Sequence, residues 1–246
     1  MLLLRQFFVN FGYRAISQGV RLPVEDLLAK WMEKSHLMDL LERLRINCVI
    51  DVGANWGGYA RMLRRLGYRG TIYSFEPNPV EFAKLSNLFQ KDPQWKGFNI
   101  ALGGENVRKS FHVADESVMS SFLVPREASV AKSLDVEMKR LDTLFPELIA
   151  PLQNPRVFLK MDTQGFDLEV VRGAEGCLGQ CLGLQSELSV EPLYNGMPHY
   201  LEALACYESS GFHLMDLSIV NRNKHGGILE YDCYMARPAE LSIFRP

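Results

Sequence analysis

Three observations predict a doubly wound α/β domain with a mostly parallel sheet. Short apolar runs alternate with stretches of helical spacing, four of the runs end in a carboxylate, and the last two alternate apolar and polar residues as an antiparallel hairpin would. The domain is expected to occupy residues 46–246, preceded by a helical extension over 1–45.

Within the extension, Leu3, Leu4, Phe7, Phe8 and Phe11 make one apolar stripe. Leu27, Leu28, Trp31, Leu37, Leu40, Leu41 and Leu44 make another, and Pro23 breaks the helix between them. These stripes suit a flank of the core or a contact between subunits or partners. The basic residues Arg5, Arg14 and Arg21 are too few to favour a membrane surface.

The first strand, Cys48-Val49-Ile50, ends at Asp51 and enters the turn Gly53-Ala54-Asn55-Trp56-Gly57-Gly58. A helix with Tyr59, Met62, Leu63 and Leu66 inward follows, closed by Gly67. The second strand, Thr71–Phe75, ends at Glu76, and Asn78 with Pro79 caps and starts a helix facing inward through Phe82, Leu85 and Phe89. Residues Gly97–Leu102 read as a third strand. From 107 to 142 the rhythm breaks: Lys109–Ala114 and Val136–Leu141 alternate like edge strands, a β insertion placed to shape a substrate. A fourth strand, Arg156–Asp162, leads into a helix from Asp167 to about Leu178 that buries Leu168 and Val171. The fifth, Leu182–Glu187, precedes a helix over His199–Ser210 with Leu201, Leu204 and Tyr207 inward. Gly211–Leu217 and Ile228–Ala236 close the domain as a hairpin around His225-Gly226-Gly227.

Composition sets outer bounds. A formal charge of −2 over 246 residues leaves no basic field for nucleic acid. No apolar run approaches the length of a membrane span, and Met1–Val9, interrupted by Arg5 and Gln6, does not read as a signal peptide. Five scattered cysteines give no disulfide framework, and Cys177 with Cys181 makes no metal site, so a reducing, cytoplasmic setting is expected.

The turn after the first strand carries the chemistry. In an open parallel sheet ligands bind beyond the carboxyl ends of the strands, and an acid ending the second strand accepts the hydroxyl hydrogens of a ribose. Glu76, 25 positions after Asp51, is placed for that. A dinucleotide turn would read G-x-G-x-x-G, whereas this one reads D-x-G-x-N-x-G, with Asp51 where phosphate oxygens would be repelled. An acid there suits a cation, which favours S-adenosylmethionine over a dinucleotide. Asp51, Glu76, Asp162 and Glu187 gather on one rim. With the first two given to the cofactor, Asp162 and Glu187 are left for the reacting group. They could act as a general base toward a hydroxyl or share a hard divalent ion such as magnesium. Lys160 has the side-chain parity of Asp162, to pair with it or contact substrate. A dinucleotide oxidoreductase and a silent scaffold of the same fold stay open at this stage.

The runs VIDVGANWG (Val49–Gly57), FEPNP (Phe75–Pro79), NIALG (Asn99–Gly103), LKMDTQGFDLEVVRGA (Leu159–Ala174), QSELSVEPLYNG (Gln185–Gly196) and GFHLMDL (Gly211–Leu217) together resemble the FkbM family of S-adenosylmethionine-dependent methyltransferases. The likeness spans roughly residues 47–237 and leaves the first 45 without a counterpart. It implies a class I methyltransferase (Rossmann-like) fold and O-methylation of hydroxyls on sugars, polyketides or other secondary metabolites, so a small-molecule or glycan acceptor is expected. By motif it gives Asp51, Gly53, Asn55 and Gly57 to the methionine end of the cofactor, Glu76 to its ribose and Asp162 to the reaction side. The reading of the strand ends adds Ala54, Pro77, Asn78 and, beside the adenine, Ala101 for the cofactor, and Glu187 and Lys160 on the reaction side. Two departures stand out: Gln164 replaces the second acid of D-x-E-G, and Trp56 is bulky enough to narrow the cofactor mouth. The acceptor pocket is expected from residues 115–135, the Leu193–Gly196 loop, and His199 or His225.

Overall fold

The computed structural model describes residues 24–240 except Ala128, together with Arg14, Ser17 and Gln18. The apolar stripe over Leu3–Phe11 lies outside the described residues. The chain divides into two compact units, 1–36 and 37–246. Helix α1 (Val24–Arg43) begins in the first unit, where Leu28 and Trp31 are exposed. Its Leu37, Leu40 and Leu41, with Leu44 beyond it, are buried in the second.

The second unit holds β1 (Cys48–Val52), α2 (Gly58–Arg65), β2 (Thr71–Phe75), α3 (Pro79–Phe89), β3 (Trp95–Phe98), β4 (Ala101–Leu102), β5 (Val107–Ala114) and β6 (Val130–Lys139). It continues with α4 (Leu141–Ile149), β7 (Val157–Met161), α5 (Asp167–Arg172), β8 (Cys181–Ser189), α6 (Tyr200–Ser209), β9 (His213–Arg222) and β10 (Ile228–Ala236). Seven strands form one sheet in the order β3-β2-β1-β7-β8-β10-β9. The first five run parallel, and β10 lies antiparallel to both β8 and β9. The order reverses between β1 and β7, so the ligand crevice of a doubly wound sheet falls beyond their carboxyl ends.

Strand alternation sorts the core onto two faces. Ile50, Val52, Phe75, Leu159 and Leu184 pack with α4–α6 on one face. Val49, Ile72 and Phe158 pack with Leu37–Leu44, α2 and α3 on the other. The Asn78 side chain accepts from Val80 N and Pro79 opens α3, the cap its sequence predicts.

Several expectations are corrected. The third strand is split: Asn99 Nδ2 donates to the Glu76 and Pro77 carbonyls, turning the chain so that Ala101–Leu102 leaves the main sheet and pairs with β6. The insertion is therefore a separate three-stranded sheet, β4-β6-β5. Helix α5 stops at Arg172 rather than near Leu178. Gly173 lies so close to the Gly103 carbonyl that a Cβ there would stand 1.9 Å from its oxygen. Leu168 is only partly buried, and Val170 takes the inner position. Leu66, which ends α2, and Leu201 are exposed. Ala203 and Tyr207, four apart, form the inner face of α6, and Leu201 falls off that face.

Candidate active site

A buried polar row crosses the sheet just below the crevice. Ser74, Asp51, Lys160 and Gln185 are register partners on β2, β1, β7 and β8. Asp51 is fully buried within β1, which runs on to Val52. Lys160 Nζ lies 3.1 Å from its Oδ1, and Ser74 Oγ donates to Oδ2 at 3.2 Å. Trp95 Nε1 in turn donates to Ser74 Oγ. Burial alone would lower the Lys160 ammonium, but the Asp51 and Asp162 carboxylates outweigh it and hold the value above that of an ordinary lysine.

Asp51 therefore lies beneath the cleft rather than in its lining. Its charge is matched by Lys160, and neither side chain lines the cleft above. The sequence reading set Asp51 beside the cofactor's cation, whereas here it is paired from the side by Lys160; of the two readings of Lys160, pairing with Asp162 holds, at 3.5 Å. The pair fastens β1 to β7 under the crevice.

Above the row lies a cleft lined by Gly53, Asn55, Glu76, Pro77, Ala101, Asp162 and Gln164 among others. Six of the residues assigned from the sequence thus meet around one space: Gly53, Asn55, Glu76, Pro77, Ala101 and Asp162. Gly53 has φ +75°, and a Cβ there would stand 2.0 Å from the Asp162 carbonyl oxygen, so the tips of β1 and β7 touch through a glycine. Gly53→Ala is expected to destabilise the fold by upwards of about 2 kcal/mol, read by denaturant unfolding. An unchanged midpoint would show that the two strand ends do not need this approach.

Glu76 is 4% exposed and accepts from Asn55 N and Asn78 N, each at 2.7 Å. Burial raises its carboxyl to about 7 against the pull of these two N–H groups. Each oxygen keeps a lone pair for a further donor. Asn55, at φ 47°, accepts from Trp56 N and Ser117 Oγ.

Asp162 is partly exposed in the cleft. Lys160 lies 3.5 Å from its Oδ2, and Gln164 Nε2 donates to its Oδ1 at 3.2 Å. Glu187 does not line this cleft. It opens on a small neighbouring hollow with Tyr200 and Tyr207, and accepts from Gln164 Nε2 at 2.7 Å. Burial, then the nearby carboxylates, pushes its carboxyl well above the usual range. The Gln164 side chain stands between Asp162 and Glu187, the two acids considered for a shared divalent ion. Among the described residues no group of three or more His, Cys, Asp or Glu side chains is placed to hold a metal.

The remaining assigned residues serve the frame. Ala54 is core, Gly57 caps α2 at φ +94°, and Asn78 caps α3. Trp56 does not narrow the mouth but lies half-exposed under Arg61 at 4.9 Å. His199 caps α6, and His225 sits exposed in the β9–β10 turn.

Sequence reasoning assigned residues 115–135 to the acceptor and missed Phe111 and Phe166 beside them. Phe111, Ser117, Val118, Ser120 and Phe122 from the insertion, with Phe166, line the Glu76–Asp162 cleft, so the insertion shapes the cofactor-side space as well. Phe122 packs between Phe111 and Phe166, at ring separations of 5.0 and 4.8 Å. Three phenylalanines in two unconnected segments carry no spacing signal.

Sheet order, glycine turn and acid-lined crevice define a class I methyltransferase fold. The sequence profile of the Methyltransferase FkbM domain matches residues 51–213, more than half of the chain. The chain belongs to the FkbM family and is an S-adenosylmethionine-dependent methyltransferase. It is similar to the 2-O-methyltransferase NoeI of Sinorhizobium fredii (strain NBRC 101917 / NGR234), at 26% identity over 199 residues, 74% of this chain and 78% of that one. Among solved structures it is similar to Aeropyrum pernix fibrillarin with natively bound S-adenosyl-L-methionine, at 13% identity, TM-score 0.43, over 77% of this chain and 66% of that one. It is also similar to magnesium protoporphyrin IX methyltransferase (ChlM) from Synechocystis PCC 6803 with bound SAM, at 9% identity, TM-score 0.47 and 96% of each chain. At such TM-scores these two likenesses add nothing to what the sheet order shows.

Proposed function

We propose that the protein methylates a hydroxyl group of a small molecule or glycan, with the cofactor in the Glu76–Asp162 cleft and Asp162 on the reaction side. One observation carries this: a buried carboxylate able to take ribose hydroxyls and a partly exposed one able to take a proton line the same space. The name of NoeI, a 2-O-methyltransferase, supports oxygen as the acceptor atom.

When bound, S-adenosylmethionine supplies an electrophilic methyl group on a positively charged sulfur. Glu76 would accept the ribose hydroxyls while Pro77, Ala101, Leu102 and the phenylalanine wall enclose the base. Alignment of the acceptor against that methyl is the larger part of the task, worth on the order of 7–11 kcal/mol in well-oriented cases. Asp162 would receive the hydroxyl proton and, being open to solvent, pass it to water. The scattered cysteines favour a reducing, cytoplasmic setting.

The test is S-adenosylhomocysteine formation by the purified protein across a panel of sugars and other hydroxyl compounds. On any acceptor found, Asp162→Asn is expected to lower kcat about 10²–10⁴-fold with little change in cofactor affinity. Full activity in that variant would remove Asp162 from the reaction.

A further inference from the structure

The turn that leaves β7 gives the cleft Asp162, Thr163, Gln164 and Phe166. Within it Gln164 and Gly165 are both left-handed, at φ 53° and +86°, and a non-glycine residue keeps that conformation only where its surroundings enforce it. Asp162 N is tied to β1, donating to the Val52 carbonyl at 3.1 Å. The next residue is tied to Asp167, which is 6% exposed at the start of α5 and does not line the cleft. Thr163 N donates to Asp167 Oδ1 at 3.0 Å, and the Thr163 hydroxyl bonds the same oxygen.

The other carboxyl oxygen, Oδ2, lies 2.6 Å from Ser186 Oγ, which stands 2.7 Å from the Tyr207 hydroxyl. Ser186 on β8 and Tyr207 on α6 are fully buried, so Asp167 ties the turn to the core. Whichever way the hydrogens run from Oδ2 to Tyr207, Oδ1 remains an acceptor, because a backbone N–H can only donate.

We infer that Asp167 is a positioning residue: by holding Thr163 from the buried side it sets the turn that presents Asp162, Gln164 and Phe166 to the cleft. This rests on the reading of that cleft as the cofactor site. Without the Asp167 side chain the Thr163 N–H and hydroxyl lose their acceptor. The main chain of the turn then keeps the clamp from Ser121 Oγ, 2.8 Å from the Gln164 carbonyl. A ligand has to order the turn as it binds, and its affinity falls by the cost of that ordering.

The experiment measures amide hydrogen exchange of residues 163–165, with and without ligand, and calorimetric affinity for S-adenosylhomocysteine, both on the full chain. In Asp167→Ala the turn is expected to exchange at least about tenfold faster than in wild type. S-adenosylhomocysteine should bind about tenfold more weakly, the cost of ordering about one residue, and saturating ligand should return the protection of the turn. Asp167→Asn keeps an oxygen for Thr163 and turns its NH2 to Ser186, so both readings should stay within about twofold of wild type.

The asparagine variant separates position from packing. Equal losses in the two variants, or exchange that rises through β7, β8 and α6 as much as in the turn, would overturn the role. So would an alanine variant with wild-type exchange and affinity. Where Asp167→Ala does not fold, Ser186→Ala removes the anchor without touching the cleft. It should show the same two changes at about two- to threefold, and no change would overturn the role. Wild type that fails to bind S-adenosylhomocysteine would overturn the cofactor reading, and the exchange comparison would still decide whether Asp167 holds the turn.

Discussion

Glu76→Ala is expected to weaken S-adenosylmethionine binding by about 10²–10³-fold, the loss of one to two hydrogen bonds to a charged acceptor. The residue is nearly sealed from solvent and held by the N–H groups of Asn55 and Asn78, so its carboxyl is fixed before any ligand arrives. That rigidity is why so much affinity should depend on one side chain. Glu76→Gln keeps the shape but not the charge and should fall between the two. The pH dependence follows from the carboxyl lying near 7 in the free protein. Below that value it carries a proton and accepts more weakly, so binding should strengthen as the pH rises through about 7 and then level off. The sign for stability is opposite. The folded chain keeps a proton that the unfolded chain releases from its ordinary 4.5 upward, so the free protein loses stability as the pH rises from 4.5 to about 7. Calorimetry showing wild-type affinity in Glu76→Ala would remove the ribose assignment.

Much of this was legible in the sequence for a physical reason. Strand runs, helical spacing and caps are local, so β1, β2, β7, β8 and the closing hairpin fall close to where their residue patterns put them. The meeting of Gly53, Asn55, Glu76 and Asp162 was legible because parallel strands present their carboxyl ends to one side. What failed was the side-chain pairing that strand register decides. Asp51 and Lys160 are 109 positions apart and become partners only through the β1–β7 register, so an acid that looked free for a cation is already matched. The phenylalanine wall is non-local in the same way. Gln164 could be singled out as unusual, but that its amide bridges two carboxylates is a fact of geometry alone.

The Asp51–Lys160 pair gives the largest expected effect on stability. Lys160→Met should destabilise the protein by about 3–5 kcal/mol, because it leaves the Asp51 carboxylate buried with only the Ser74 hydroxyl to accept from. Methionine fills most of the aliphatic stem, so the loss reports charge rather than a cavity. Asp51→Asn with Lys160→Met removes both charges and should recover most of the deficit. A coupling energy near zero in that double-mutant cycle would mean the pair contributes nothing to the junction of β1 and β7. Because the Lys160 ammonium lies above the ordinary lysine value, its contribution is complete at neutral pH and is lost only on the alkaline side. The double variant also separates structure from function. Neither side chain lines the cleft, so a stable double variant should still bind S-adenosylmethionine. If it folds and does not bind, the buried pair would be setting the position of Gly53 and Asp162, the two strand tips that stand directly above it.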